Sequence, residues 1–188
     1  MSGRLALVFG PSGAGKDTLL LAAAETLDGR PGLRFVRRVI TRPSRAGDEQ
    51  NEAVDEATFL HRRAAGAFAL HWSAHGLHYG IPADIAGDLA AGTTVVASVS
   101  RTVLAEAVTR FPVCLIEITA PVALRATRLA ARERETEAAV AARLAREVPL
   151  DAGMACIRIY NDRDVASGAA ALRDSLLVAC DVAHGGED

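Results

Sequence analysis

The chain has 188 residues, half of them hydrophobic, and a net charge of −2. That length supports one α/β domain with a proper core and is too short for two large ones. A near-neutral balance with 4% aromatics provides neither the basic field nor the stacking platform of a nucleic-acid binder, and no stretch reaches membrane-spanning length, so neither nucleic acid nor membrane is expected as a partner.

The first element is the apolar run Leu5-Ala6-Leu7-Val8-Phe9, which reads as a buried strand. Thr18-Leu19-Leu20-Leu21-Ala22-Ala23-Ala24 reads as a helix, and between them lies Gly10-Pro11-Ser12-Gly13-Ala14-Gly15-Lys16. Glycines at a strand-to-helix turn let successive backbone N–H groups face a polyphosphate, and the following helix offers its positive end. Lys16 is the only lysine beside 20 arginines. A compact ammonium kept at this one position points to the β/γ oxygens of a nucleotide. The strict motif places Ser or Thr after the lysine; here Asp17 stands there, with Thr18 next. Asp17 is either a first-turn acid favoured by the helix dipole or a hard oxygen ligand for the nucleotide's Mg²⁺.

Further along, Gly29-Arg30-Pro31-Gly32 is a turn and 33–40 reads as one strand leading into a polar loop from Thr41 to Asn51. Asp55 caps a helix through Gly66. Ala67 to Trp72 and His75 to Gly80 read as strands joined by a turn, and Pro82 suits the first turn of a helix ending before Gly92. Two short apolar strands, 94–99 and 113–118, are each followed by an Ala/Leu/Arg helix, the pattern of parallel βαβ units. Thr119-Ala120-Pro121 opens a long helix broken near 132–135, and Thr136 caps its successor. Ile157 to Tyr160 forms a strand, a helix from about Asp164 to Val178 closes the domain, and 184–188 is a frayed tail. Cys114, Cys156 and Cys180 lack metal-ligand spacing and suit reduced thiols of a cytoplasmic protein.

Arginines gather in two places besides Arg62 and Arg63, which read as solvent residues of the Asp55-capped helix. Arg37, Arg38, Arg42 and Arg45 flank the end of the second strand, where guanidinium forks match phosphate oxygens, or else form a solvated loop opposite Asp48, Glu49, Glu52, Asp55 and Glu56. Arg128, Arg132, Arg134, Arg143 and Arg146 form the other group, with Arg128 and Arg132 on one helical face. His71, His75 and His78 lack a ligand pattern and are expected to line a cleft or satisfy strand-end hydrogen bonds.

The glycine loop, Thr41-Arg42-Pro43-Ser44-Arg45-Ala46-Gly47, the segment from Gly66-Ala67-Phe68 to His75-Gly76-Leu77-His78-Tyr79-Gly80, and Arg128-Leu129-Ala130-Ala131-Arg132 with Arg143-Leu144 resemble the guanylate kinases in order and spacing over nearly the whole chain. The resemblance implies a P-loop NTPase-type α/β fold: a three-layer α/β/α parallel sheet with an acceptor-binding insert and a lid. The corresponding division is a core of 1–35, 83–124 and 147–180, an insert of about 36–82 and a lid of about 125–146. It further implies ATP at Gly10, Pro11, Ser12, Gly13, Ala14, Gly15, Lys16, Asp17 and Thr18, with Mg²⁺ as cofactor. Arg42, Arg45 and Tyr79 would grip the acceptor phosphate, and Lys16, Arg132 and Arg143 would act in catalysis.

The departures narrow the acceptor. Leu70 stands where the family's base-reading glutamate falls and Arg38 where its base-contacting serine falls. Ser98 and Ser100 replace strand-end aspartates, and the acidic loop's tyrosine is absent. Replacing an acid and a hydroxyl by an apolar residue and a cation turns a purine pocket into one for a second phosphate, with Arg38 as its candidate. The branch with Lys-Asp after the loop and His-Gly-Leu-His-Tyr-Gly-Ile-Pro is that of the ribose 1,5-bisphosphate phosphokinases, which implies a small phosphorylated sugar as acceptor and ribose 5-phosphate 1-diphosphate (PRPP) as product, in phosphonate metabolism. Rival readings are a true guanylate kinase and a non-catalytic guanylate kinase-like protein-binding module. A complete loop with lysine and lid arginines speaks against the module, and a monomer and a homodimer both stay open.

Overall fold

A computed structural model describes residues 2–43, 51–133 and 154–184. Its centre is β1 (Leu5–Phe9), buried at every position, as a strand covered on both faces must be. The strand continues through the glycine loop into α1 (Lys16–Thr26). Then come β2 (Leu33–Phe35), β3 (Arg38–Ile40), β4 (Asn51–Ala53), α2 (Glu56–Ala64), β5 (Phe68–Ala74), β6 (Leu77–Pro82), α3 (Ile85–Ala90) and β7 (Thr94–Ser98). A 3₁₀ turn at Arg101–Val103 precedes α4 (Leu104–Arg110), β8 (Val113–Thr119), α5 (Val122–Glu133), β9 (Ile157–Tyr160) and α6 (Val165–His184).

Five strands form a parallel sheet in the order β2-β7-β1-β8-β9. Alternation along β1 divides the core in two. Leu5, Leu7 and Phe9 face Ala69, Leu70, Trp72 and Ile81 together with Ile85 and Leu104, while Ala6 and Val8 face Leu19, Ala23, Leu172 and Leu176 of α1 and α6. The remaining strands form a smaller mixed sheet, β4-β3-β6-β5. Within it β5 and β6 are an antiparallel hairpin. The turn residues His75 and Gly76 both have positive φ, 54° and 72°, as a two-residue turn matching the twist of the strands requires.

Three expectations are corrected. Residues 33–40 are two strands: β2 pairs with β7 in the parallel sheet, whereas β3 pairs with β4 and β6 in the other, so the chain changes sheets at Val36 and Arg37. Pro82 ends β6 opposite Phe68 and does not open a helix; α3 starts at Ile85. A proline lacks the N–H that would continue a ladder, which suits it to a strand end. The final helix runs on to His184, through the residue where the tail was expected to begin. The helix cap at Asp55 is present, its carboxylate accepting from Thr58 N at 2.7 Å. Among the described residues no helix is long and apolar enough to cross a membrane.

Candidate active site

The C-terminal ends of parallel strands are where α/β sheets bind ligands, and β1, β7 and β8 end together here. From β1 the chain enters the glycine loop. Gly15 is the N-cap of α1 with φ of 87°, and a Cβ there would collide with Asn161 Nδ2, so backbone freedom and close approach both demand glycine. Ala14 is buried. Gly10, Pro11, Ser12 and Gly13 form the preceding arch, closed by Ala14 N donating to Pro11 O at 3.3 Å.

Lys16 is half-buried, and its Nζ donates to the carbonyls of Gly10 (2.8 Å) and Pro11 (3.2 Å). Its pKa is lowered from 10.5 to about 8, first by desolvation; Asp17 opposes the shift, and the positive charges of Arg38, Arg101 and Arg125 add to it. Asp17 and Thr18 begin α1 and are exposed.

The smaller sheet supplies the facing wall. Arg38 on β3 donates from Nε to Asn51 Oδ1 (3.2 Å), from Nη1 to Ser98 Oγ (3.2 Å) and from Nη2 to Asp17 Oδ1 (3.4 Å). It thereby ties the smaller sheet to the end of β7 and the first turn of α1. Its guanidinium lies 6.0 Å from the ring centre of Tyr79, which is stacked on Trp72 at 5.3 Å. Arg42 follows β3 in a bend held to β6, where Thr41 N donates to His78 O (3.1 Å) and His78 N to Thr41 Oγ1 (2.8 Å). The structure therefore brings Lys16, Asp17, Arg38 and Ser98 together, with Tyr79 beneath Arg38. Arg45, Arg134, Arg143 and Arg146 lie outside the described residues. Arg132 lies on α5, and its side chain is outside the described set.

Leu70 corrects an expectation about the cleft. It is fully buried in the core. A register shift between Phe68 and Leu70 interrupts the alternation of β5, so Ala69 and Leu70 both enter the core.

Several charged and polar groups escape a reading of spacing alone. Glu117 on β8, 5% exposed, accepts from Arg101 Nη2 at 2.6 Å and from Arg158 Nε at 2.7 Å. Since β1 lies between β7 and β8, an arginine leaving β7 and reaching β8 crosses the end of β1, at the foot of the glycine loop. Glu117 has a legible signal: an acid inside the run Val113 to Ile118 is seldom buried without a partner. Arg125, in the first turns of α5, is 4% exposed and packs against Gly13. Asn161 donates to Ala14 O at 2.8 Å and has no pattern in sequence that would single it out.

The histidines play local roles. His78 bonds Ser73 Oγ at 2.7 Å and Glu56 at 3.3 Å and stacks on Phe59; His75 turns the hairpin and His71 is exposed. No group of three His, Cys, Asp or Glu able to hold a metal exists among the described residues. A Mg²⁺ carried by a nucleotide keeps most of its waters and takes one or two carboxylates beside phosphate oxygens. The exposed Asp17 carboxylate fits that single-ligand role.

Comparison with known proteins places this geometry. No family model matches the chain. It is 55% identical over 145 residues, 77% of each chain, to the ribose 1,5-bisphosphate phosphokinase PhnN of Acidiphilium cryptum. To that of Methylobacterium radiotolerans it is 51% identical over 148 residues, 78% of this chain and 84% of the relative. Among solved structures it is similar to a guanylate kinase from Anaplasma phagocytophilum, with a TM-score of 0.69 at 18% identity over 94% of this chain and 86% of that one. The structural likeness shows the guanylate kinase-type P-loop fold, and the sequence identity shows the branch: the chain belongs to the ribose 1,5-bisphosphate phosphokinase family.

Proposed function

We propose that this chain transfers the γ-phosphoryl group of ATP to the 1-phosphate of ribose 1,5-bisphosphate, giving 5-phospho-α-D-ribose 1-diphosphate and ADP. The observation that carries this reading is Arg38, a cation fixed between Asp17 and Ser98 at the junction of the glycine loop and the smaller sheet, where a base-reading hydroxyl would serve a nucleotide acceptor. The names of the relatives favour the same acceptor over GMP.

The acceptor phosphate oxygen is already an anionic nucleophile, so no general base is required and the chain's task is to hold two anions in line. The loop from Gly10 to Thr18 binds the donor's phosphates through inward N–H groups. Lys16 exchanges its bonds to Gly10 O and Pro11 O for the β/γ oxygens and meets charge that is fullest in the transition state. Arg42, Arg45 and Tyr79 receive the acceptor's 1-phosphate and Arg38 its other phosphate. Arg132 and Arg143 close over the transferring group and exclude water. Asp17 would hold Mg²⁺, which supplies neutralisation of phosphate charge when bound. In this division 36–82 is the acceptor-binding part and 125–146 the lid.

The test is the ratio of catalytic efficiencies for ribose 1,5-bisphosphate and GMP with ATP, in wild type and Arg38→Ser. The wild type is expected to prefer the bisphosphate, and the variant to lose on the order of tenfold or more of that preference through one lost charged hydrogen-bonding group. A wild-type preference for GMP refutes the reading.

A further inference from the structure

Asn161 follows β9 and is 4% exposed. Its backbone N donates to Thr119 O at 2.7 Å, which extends the β8–β9 ladder and fixes the residue whatever its side chain. The side chain reaches across the loop and donates from Nδ2 to the carbonyl of Ala14 at 2.8 Å; Arg128 Nη1 approaches the same oxygen at 3.5 Å. The orientation of the amide is dictated by that carbonyl, because a second oxygen facing it would repel. Asn161 Oδ1, also buried, has no hydrogen-bond partner among the described residues. The whole polar function of the side chain, within the described structure, is one bond to the glycine loop.

That bond has a directional consequence. In a trans peptide the C=O and the next N–H lie in one plane and point in opposite directions. Holding the Ala14 carbonyl outward therefore aims the Gly15 N–H at the interior of the loop, where a donor phosphate sits. Gly15 itself can pack beside Asn161 only because it lacks a Cβ.

We propose that Asn161 is a positioning residue of the donor site: its side-chain amide locks the Ala14–Gly15 peptide in the orientation that presents the Gly15 N–H to a nucleotide polyphosphate. The inference rests on the kinase reading only in taking the loop as the donor site, and is indifferent to the acceptor. Asn161→Leu is the direct test, since it keeps the branched shape, with methyls for the amide atoms, and removes the bond to Ala14 O; Asn161→Asp, the same size and also lacking the donor when ionised, is the second variant. Mg²⁺-ATP, inorganic tripolyphosphate and adenosine are titrated calorimetrically into each protein, and unfolding is followed without ligand. ATP and tripolyphosphate are expected to weaken by the same factor, about tenfold or more, because one N–H to a charged oxygen is misaligned in both, with KM for the acceptor unchanged. Unchanged polyphosphate affinity, a loss confined to ATP and adenosine, or failure of both variants to fold each overturns the proposal, the last by making Asn161 a core residue only. A wild-type protein that binds no ATP strikes the kinase reading instead, so the two failures are distinguishable.

Discussion

Raising the pH through the titration of Lys16 is expected to switch off donor capture while stabilising the fold. The lysine's folded-state pKa of about 8 lies below its ordinary 10.5, chiefly because burial disfavours the ammonium; Asp17 opposes the shift, and Arg38, Arg101 and Arg125 add to it. Between those two values the unfolded chain holds more protons than the folded one, so stability rises with pH across the window. Below pH 8 the full cost is present; at about 1.4 kcal/mol per pH unit it is about 3 kcal/mol. This is strain that bound phosphate relieves, since an anion beside Nζ raises the pKa again. The assay is kcat/KM for Mg²⁺-ATP from about pH 6.5 to about pH 9.5, which reports the free enzyme. A limb falling about tenfold per pH unit is expected above pH 8. The limb in kcat, which reports the loaded enzyme, is expected higher, and Arg101→Gln is expected to move the free-enzyme limb upward by removing one repelling charge. A kcat/KM that stays level to the alkaline end of that range would refute the argument.

Lys16→Ala is expected to abolish phosphoryl transfer with the thermal unfolding midpoint preserved or raised, and Lys16→Arg to restore little, because a planar fork cannot occupy the point held by Nζ; a steady-state assay and an unfolding curve decide both. Asp17→Asn is expected to raise the Mg²⁺ concentration for half-maximal activity much more than it weakens metal-free ATP binding, and an unchanged Mg²⁺ midpoint returns Asp17 to a first-turn acid. Glu117→Gln removes the carboxylate shared by Arg101 and Arg158, whose side chains are 14% and 50% exposed. The exposed Arg158 pair contributes little, so the expected loss, about 2–4 kcal/mol, comes from the partly buried Arg101 losing the charge of Glu117. Equilibrium denaturation measures it, and a loss under about 0.5 kcal/mol, the size of an ordinary surface change, would show the pair to be solvated.

The strand, glycine loop and helix at the start of the chain were determined by sequence alone, because their signal is local: a buried run, residues tolerant of positive φ, and one ammonium lie within 20 residues. The parallel βαβ architecture followed from the alternation of apolar strands and helices for the same reason, and the order of matching motifs pointed to the family. Local patterning could not place residues 33–40, where the apolar run is continuous yet the chain leaves one sheet and enters another, because which partner a strand pairs with is decided by contacts far along the chain, with β7 for one half and β6 for the other. Leu70 shows the same limit: its alignment with a cleft position is a property of sequence, while in the structure it shares the core face of β5 with Trp72. Arg38 is legible in sequence as a candidate phosphate-binding cation, but its ties to Asp17 and Ser98 arise only when two sheets and a helix start converge. Arg101 meets Glu117 across 16 residues, and Asn161 meets the loop across 147. Their role is set by strand order and the crossing of side chains over β1, which tertiary structure alone decides.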